Sequence, residues 1–256
     1  MKKQTIFLLL VFFAFSLSCQ FLSPSRNGTI ISSCANIVKA VRSIQPGGAP
    51  QALLETGVKQ GGEFEVVKYF DVLTHLSMQD GYTLDYVYQV DSLGAYPVLY
   101  PLPDGLTPYA SFADIPENTQ LANYFDHLVV ADVEQGYFEF AAMHIMAGQF
   151  YLDWHANYND TEIVCNSDEV NAILSDINDG GFGNAFDLPQ QAKARAMTNL
   201  EPLVQLTENT AIVELIVFTK WGGFYRQTYT ISRSFPHTII DVNSENLVPY
   251  DCGIMF

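Results

Sequence analysis

The fold is decided by residues 211–232, which read AIVELIVFTKWGGFYRQTYTIS. Residues 211–219 are almost continuously apolar, and such a run is typical of a central strand that is buried on both faces. Lys220, Trp221 and two glycines follow, a composition that favours a turn. The chain then returns through a second β-rich segment at residues 224–232. We therefore predict an antiparallel hairpin whose first strand lies in the middle of a sheet.

Outward from this hairpin, hydrophobic periodicity predicts further strands and helices. A second hairpin is predicted from residues 83–90 and 96–100. Helices are predicted at four places: 34–44, 136–148, from Ser167 through Ile177, and 189–200. We also expect a strand at 63–70, a helix near 71–78, and a third hairpin from 149–155 and 161–165. Together these elements predict a single α+β domain with a mainly antiparallel sheet built from hairpins with interspersed helices.

Composition excludes several classes of protein. The chain has 256 residues, of which 48% are hydrophobic, so it is neither a disordered chain nor a coiled coil. Twelve Lys and Arg stand against 28 Asp and Glu, which gives a formal net charge of -16. A chain with this negative charge lacks the broad electrostatic attraction to phosphate by which proteins bind nucleic acids. We expect no nucleic-acid partner.

The first 18 residues have the pattern of a secretory signal peptide. The basic residues Lys2 and Lys3 precede an apolar run, residues 6–15, that is too short to span a bilayer. Small residues, Ser16 and Ser18, then stand three and one positions before the expected cleavage site. We predict removal of residues 1–18, which takes away two lysines and leaves an acidic, exported chain.

Cys19 stands at the position where a bacterial lipoprotein signal requires its lipidated cysteine. Leu17 lies one position later than in that pattern, and cleavage before Cys19 also satisfies the ordinary rule for plain secretion. We predict lipidation at Cys19, a lipid-anchored tether at residues 19–32, and one domain at 33–256. The predicted location is the cell envelope, membrane-anchored through lipid. Secretion as a soluble protein is the alternative.

The remaining cysteines are Cys34, Cys165 and Cys252. If Cys19 carries lipid, these three allow one bridge and one free thiol; if it does not, the four cysteines allow two bridges, and an oxidising compartment permits either. Their pairing does not follow from the sequence. They form no CxxC motif or Cys/His cluster, so we expect no structural zinc site.

Polar and aromatic groups gather between residues 153 and 165. In a strand Asp153 and His155 would share one face, where the carboxylate could fix the imidazole tautomer, and Cys165 could serve as a nucleophile. A structural alternative is one hydrogen bond between two strand residues, with Cys165 in the core or in a disulfide. No local signature of a hydrolase accompanies the group.

Two tryptophans are candidate ligand-binding residues. Trp154 lies in the polar and aromatic group, and Trp221 lies in a turn flanked by glycines, where exposure is common. Exposed aromatic side chains stack on sugars or contact a protein partner. The many tyrosines of the strands are expected mostly in the core.

Residues 176–187 resemble an EF-hand calcium loop between two predicted helices. The weak calcium ligands that this resemblance implies are Asp176, Asn178, Phe182 through its carbonyl, Asn184 and Asp187. The loop departs from the pattern at Gly180, which lacks a side-chain oxygen, at Gly183, and at Asp187, which is shorter than the usual Glu. An Asp/Asn/Gly-rich connection between helices is the alternative.

These observations favour a non-catalytic binding domain for a protein or glycan partner, held at the cell envelope by its N-terminal lipid. An extracytoplasmic hydrolase that uses Asp153 and His155, with or without Cys165, is the first alternative. A calcium-stabilised structural module is the second. No cofactor other than this possible calcium is expected.

Overall fold

A computed structural model of the chain describes residues 27–116, 121–154, 161–180 and 183–254. They form an α+β fold with mainly antiparallel sheets, as the sequence predicts. The α-helices are α1 (Cys34–Ile44), α2 (Gln51–Thr56), α3 (Tyr69–Val72), α4 (Glu134–Met146), α5 (Ser167–Asp179) and α6 (Leu188–Arg195). The strands are β1 (Thr29–Ile30), β2 (Leu76–Met78), β3 (Tyr82–Asp91), β4 (Gly94–Pro103), β5 (Leu128–Val130), β6 (Asp153–Trp154), β7 (Thr161–Val164), β8 (Leu203–Leu206), β9 (Thr210–Thr219), β10 (Gly223–Ser232) and β11 (Ile239–Pro249).

The largest sheet is built around the predicted hairpin. β9 and β10 pair antiparallel from Thr219 opposite Gly223 to Thr210 opposite Ser232, which confirms the hairpin and its turn. On its other side β9 pairs with β8 and then with β7, so that it is central to the sheet, as expected. The described strand order is β1-β8-β9-β10-β11, with β7 joined to β9.

Two smaller sheets complete the strands. The second predicted hairpin is confirmed, because β3 and β4 pair along their whole length, and β6 adds two residues to the start of β4. β2 and β5 form a separate antiparallel pair. The three-stranded sheet packs on the main core through Leu84, Tyr86 and Tyr88, all of which are buried.

Helix α4 fills the main core. It is apolar nearly all round, and Tyr137, Phe138 and Phe140 are fully buried in it. A helix with this pattern packs inside a protein rather than on its surface. Its one buried acid, Glu139, accepts hydrogen bonds from the backbone N–H and the Nδ1 of His75, each at 2.8 Å. These bonds offset the cost of removing the carboxylate from water.

Three local predictions are wrong. Residues 63–70 form no strand, because Val66, Tyr69 and Leu73 are buried at helical spacing in a 3-10 turn followed by α3. The helix expected near 71–78 ends at Val72 and gives way to β2. The segments 149–155 and 161–165 do not pair with each other, since β6 joins β4 and β7 joins β9.

One disulfide ties the chain together over a long distance. Cys34, the first residue of α1, is bonded to Cys165, which directly follows β7. Cys252 is buried and not bonded. In the described ranges, no helix has the length and apolar character needed to cross a membrane.

Candidate functional site

The candidate site is a depression between α4, β10, β4 and the start of β7, which we call the central cleft. Its volume is about 480 Å³. Its polar lining consists of Tyr96, His144, Gln149, Thr161, Gln227 and Tyr229. The elements that carry these side chains belong to both larger sheets and to the core helix, so the cleft lies where they meet.

The β10 side of the central cleft presents an oriented amide. Gln227 and Tyr229 are two residues apart on one strand and therefore share a face. The hydroxyl of Tyr229 donates a hydrogen bond to Oε1 of Gln227 at 2.6 Å. This bond fixes the amide, and its Nε2 has no hydrogen-bond partner among the described residues, so that it is left to donate to a ligand.

The opposite side presents the amide of Gln149, which the guanidinium of Arg42 holds from outside the lining. Nη2 of Arg42 donates to Oε1 of Gln149 at 2.7 Å. Nε2 of Gln149 donates to the carbonyl oxygen of Thr161 at 3.1 Å. Gln149 is thus fixed between α1 and β7, and this end of the cleft is preorganised without help from a ligand.

His144 lies exposed between the aromatic rings of Phe125 and Tyr229, at centroid distances of 5.4 and 5.8 Å. Desolvation by its surroundings lowers the pKa of the His144 imidazole below its usual value. Burial raises the pKa of the Tyr229 hydroxyl to about 12. Both shifts in pKa favour the uncharged form of the side chain, and no Asp, Glu, Lys or Arg is among the described residues that line the cleft.

A second polar cluster is satisfied within the protein. Nζ of Lys59 lies 2.8 and 2.9 Å from the two carboxylate oxygens of Asp85, and it donates to the carbonyl oxygen of Tyr86 at 2.6 Å. The Tyr100 hydroxyl donates to the same carboxylate at 2.8 Å. These bonds attach the loop at Lys59 to β3. The charged groups pair with each other, so we assign the cluster a structural role.

The proposed hydrolase residues are not brought together as a nucleophile and its base. Asp153 is exposed on β6 opposite Ala95, and His155 lies outside the described residues. Cys165 is bonded to Cys34 and is buried. Its sulfur carries no thiol while that bond exists, so the role of Cys165 as a nucleophile is corrected to a structural one.

The calcium-loop candidates are also arranged differently from an EF-hand loop. Asp176 and Asn178 lie inside α5, so the helix continues through the positions where the loop would begin. Oδ1 of Asn178 accepts the N–H of Phe186, and Oδ1 of Asp187 accepts the N–H of Gln190 as the cap of α6.

The other two calcium candidates add no ligand set. Asn184 donates to the carbonyl oxygen of Asp251, and Phe182 lies outside the described residues. In the described part of the chain, His, Cys, Asp and Glu form no group of three or more that could hold a metal ion. The structure thus supports the alternative of a polar connection between two helices.

The two candidate tryptophans lie on different sheets. Trp154 is 58% exposed on β6, where it pairs with Gly94, two residues from Tyr96. Trp221 is half-buried and packs against a second core cluster between the large sheet and α5. Neither tryptophan is among the described lining residues of the central cleft, but Trp154 pairs with the strand that carries Tyr96. Cys19 lies outside the described residues.

Most of the cleft was missed in the sequence. The alternation of Gln227 and Tyr229 in a strand and the one-turn spacing of His144 and Gly148 could have placed each pair on a face. Nothing in the sequence joins those faces to Tyr96.

Comparison with protein-family models, curated proteins and solved structures gives no match to this chain. The geometry of the cleft therefore carries the functional inference.

Proposed function

We propose that this chain is an exported binding protein, anchored by lipid at Cys19, whose central cleft binds an uncharged glycan. The observation that carries the proposal is the composition of the cleft. It offers amide, hydroxyl and imidazole groups beside aromatic rings, and no Asp, Glu, Lys or Arg is among its described lining residues. Sites for small ligands combine an apolar or aromatic wall with a few oriented polar groups in this way.

The chemistry of a sugar matches this lining. Sugar hydroxyls both donate and accept, as do the imidazole of His144 and the hydroxyl of Tyr96, while Nε2 of Gln227 donates. The apolar face of a sugar ring packs on an aromatic ring. The exposed indole of Trp154, on the strand next to Tyr96, offers such a surface beside the cleft.

The proposed location has support from the cysteines. Structural disulfides persist in oxidising compartments and are rare in the cytosol, and Cys34–Cys165 joins two buried residues far apart in the chain. The signal pattern of residues 1–18 and the position of Cys19 point to the same compartment. A glycan at the cell envelope is accessible to a protein held there.

The test uses the full-length chain expressed with its own signal and purified in detergent. It is applied to a library of neutral and charged glycans, and hits are titrated by calorimetry. We expect neutral hits, and we expect Gln227→Ala to weaken them at least tenfold, about 1.4 kcal/mol. Gln205→Ala is the matched control, because Gln205 is an exposed strand glutamine of β8 that does not line the cleft.

Tyr96→Phe and Tyr96→Ala separate the two kinds of contact. We expect Phe to lose only the hydrogen bond to the sugar and Ala to lose the packing as well, so that Ala binds more weakly. The proposal would be overturned if no glycan of the library bound to the protein. It would also be overturned if Gln227→Ala and Gln205→Ala bound the glycan with equal affinity. Preference for acidic glycans would count against it in the same way, since no Lys or Arg is among the described residues that line the cleft.

A further inference from the structure

The last described strand, β11, is exposed over most of its length. Seven consecutive residues, 240–246, are exposed, although a strand with one face on a core buries every second side chain. β11 pairs with β10 on one side only, and it is the terminal strand of its sheet. Its other edge therefore presents backbone N–H and C=O groups without a strand partner in the described part of the chain.

Between its two register shifts this strand is regular. Residues 241–246 pair one to one with residues 230–225 of β10, from Asp241 opposite Thr230 to Asn246 opposite Tyr225. Asp241, Asn243 and Glu245 consequently share one face, and Val242 and Ser244 lie on the other. A regular edge of this length is a template on which an extended segment can add a further strand.

The charge of the edge selects among occupants. Arg226 on β10 lies 3.3 Å from Glu245 and 3.3 Å from Glu214. One cation is thus shared by two acids, and Asp241 has no ion-pair partner among the described residues. The exposed edge keeps a negative balance on one face, within a chain whose formal net charge is -16.

A second copy of the chain is disfavoured by this balance, because like charges on paired strands repel and the whole chains repel each other. A basic segment is favoured, with Lys or Arg on alternate residues opposite Asp241 and Glu245. On the opposite face Val242 is 43% exposed, and Ile240, at the register shift next to the regular stretch, is 59% exposed; both give apolar side chains a surface to pack on. We propose that β11 docks an extended basic segment of a partner protein by β-strand addition.

The probe is a peptide of about nine alternating Lys and Val residues with blocked ends, a length close to that of a strand. Binding to the full-length chain in detergent is followed by fluorescence anisotropy. Hydrogen exchange then locates the protected amides. We expect saturable binding with slower exchange in residues 240–246. No binding at millimolar peptide, or protection confined to other residues, would overturn the proposal.

A backbone control separates strand pairing from simple charge attraction. A second peptide has the same side chains, with alternate amides N-methylated on one edge, so that it cannot form the ladder. We expect it to bind at least tenfold more weakly. Equal affinity of the two peptides would refute strand addition, and this comparison needs no variant of the protein.

A charge control uses paired substitutions. Asp241→Lys with Glu245→Lys should weaken binding at least tenfold. Asp71→Lys with Asp104→Lys makes the same change in net charge at exposed positions away from β11, and it should retain most of the affinity. Equal losses in both pairs would count against the site. A concentration-dependent dimer of the native chain whose own β11 amides are protected without peptide would assign the edge to a second copy instead.

Discussion

Removal of the Cys34–Cys165 disulfide should cost the fold a large share of its stability. The bond joins residues separated by 131 positions. In the chain-entropy account, a cross-link over a loop of this length stabilises the folded state by about 5 kcal/mol, because it restricts the unfolded chain. Native domains have free energies of unfolding of about 5–15 kcal/mol, so the loss is a third of the total or more.

The perturbation is Cys34→Ala together with Cys165→Ala. Both residues are buried, at 1% and 2% exposure, and alanine avoids the burial of unpaired hydroxyls that serine would introduce. The assay is urea unfolding of the oxidised chain, the reduced chain and the double variant. If the free energy of unfolding falls by roughly 2.5 kcal/mol per molar urea, the expected loss lowers the urea midpoint of the double variant by about 2 M.

Cys252→Ala is the matched control, because Cys252 is a buried cysteine outside the bridge. We expect it to cost about 1 kcal/mol through lost packing and to leave the effect of reductant unchanged. The disulfide would not be a major source of stability if the free energy of unfolding of the double variant lay within about 1 kcal/mol of that of the oxidised chain, or if reduction of the native chain left it unchanged.

Three further predictions concern other parts of the chain. The native chain should lose stability as the pH falls from about 7.5 to 5.5, because His144 takes up a proton in the unfolded chain that desolvation disfavours in the folded one, and His144→Asn should lose less. Equal dependence of the free energy of urea unfolding on pH in both proteins would contradict this. Gly136→Ala should cost about 1–3 kcal/mol in thermal unfolding, because the added Cβ would clash with the carbonyl oxygen of Ala131. Gly148→Ala, with nothing within 4 Å of the added atom, should leave stability nearly unchanged, and equal losses would argue against the clash. Labelled fatty acid should enter the native chain and fail to enter Cys19→Ala, whereas equal labelling would place the lipid elsewhere or exclude it.

The parts of the fold that follow from sequence are those with a strong local pattern. The apolar run of β9 and the glycine turn before β10 predict a central strand and its hairpin, because few other arrangements bury such a run. Helix α1 follows from the apolar residues Cys34, Ile37, Val41 and Ile44 at helical spacing, and the observed helix, Cys34–Ile44, contains all four. The strand prediction around Val66 was wrong because the β-branched residues of this segment favour a strand locally, whereas tertiary packing buries residues that are spaced as in a helix.

The candidate site and the exposed edge were not visible in the sequence for two physical reasons. The central cleft is assembled from residues as distant as Tyr96 and Gln227, whose proximity depends on how two sheets meet at α4. β11 is exposed on both faces, so it lacks the alternation of apolar and polar residues by which strands are recognised. The prediction for the region of Asp153 and Cys165 was wrong because β6 and β7, which are neighbours in the sequence, belong to different sheets.

The most direct test of the central claim is a crystal structure of the full-length chain with a neutral oligosaccharide taken from the library. We expect a sugar in the central cleft, with one hydroxyl accepting from Nε2 of Gln227 and another within hydrogen-bond distance of the His144 imidazole. A sugar bound only at another surface, with the cleft side chains unaltered and untouched, would contradict it.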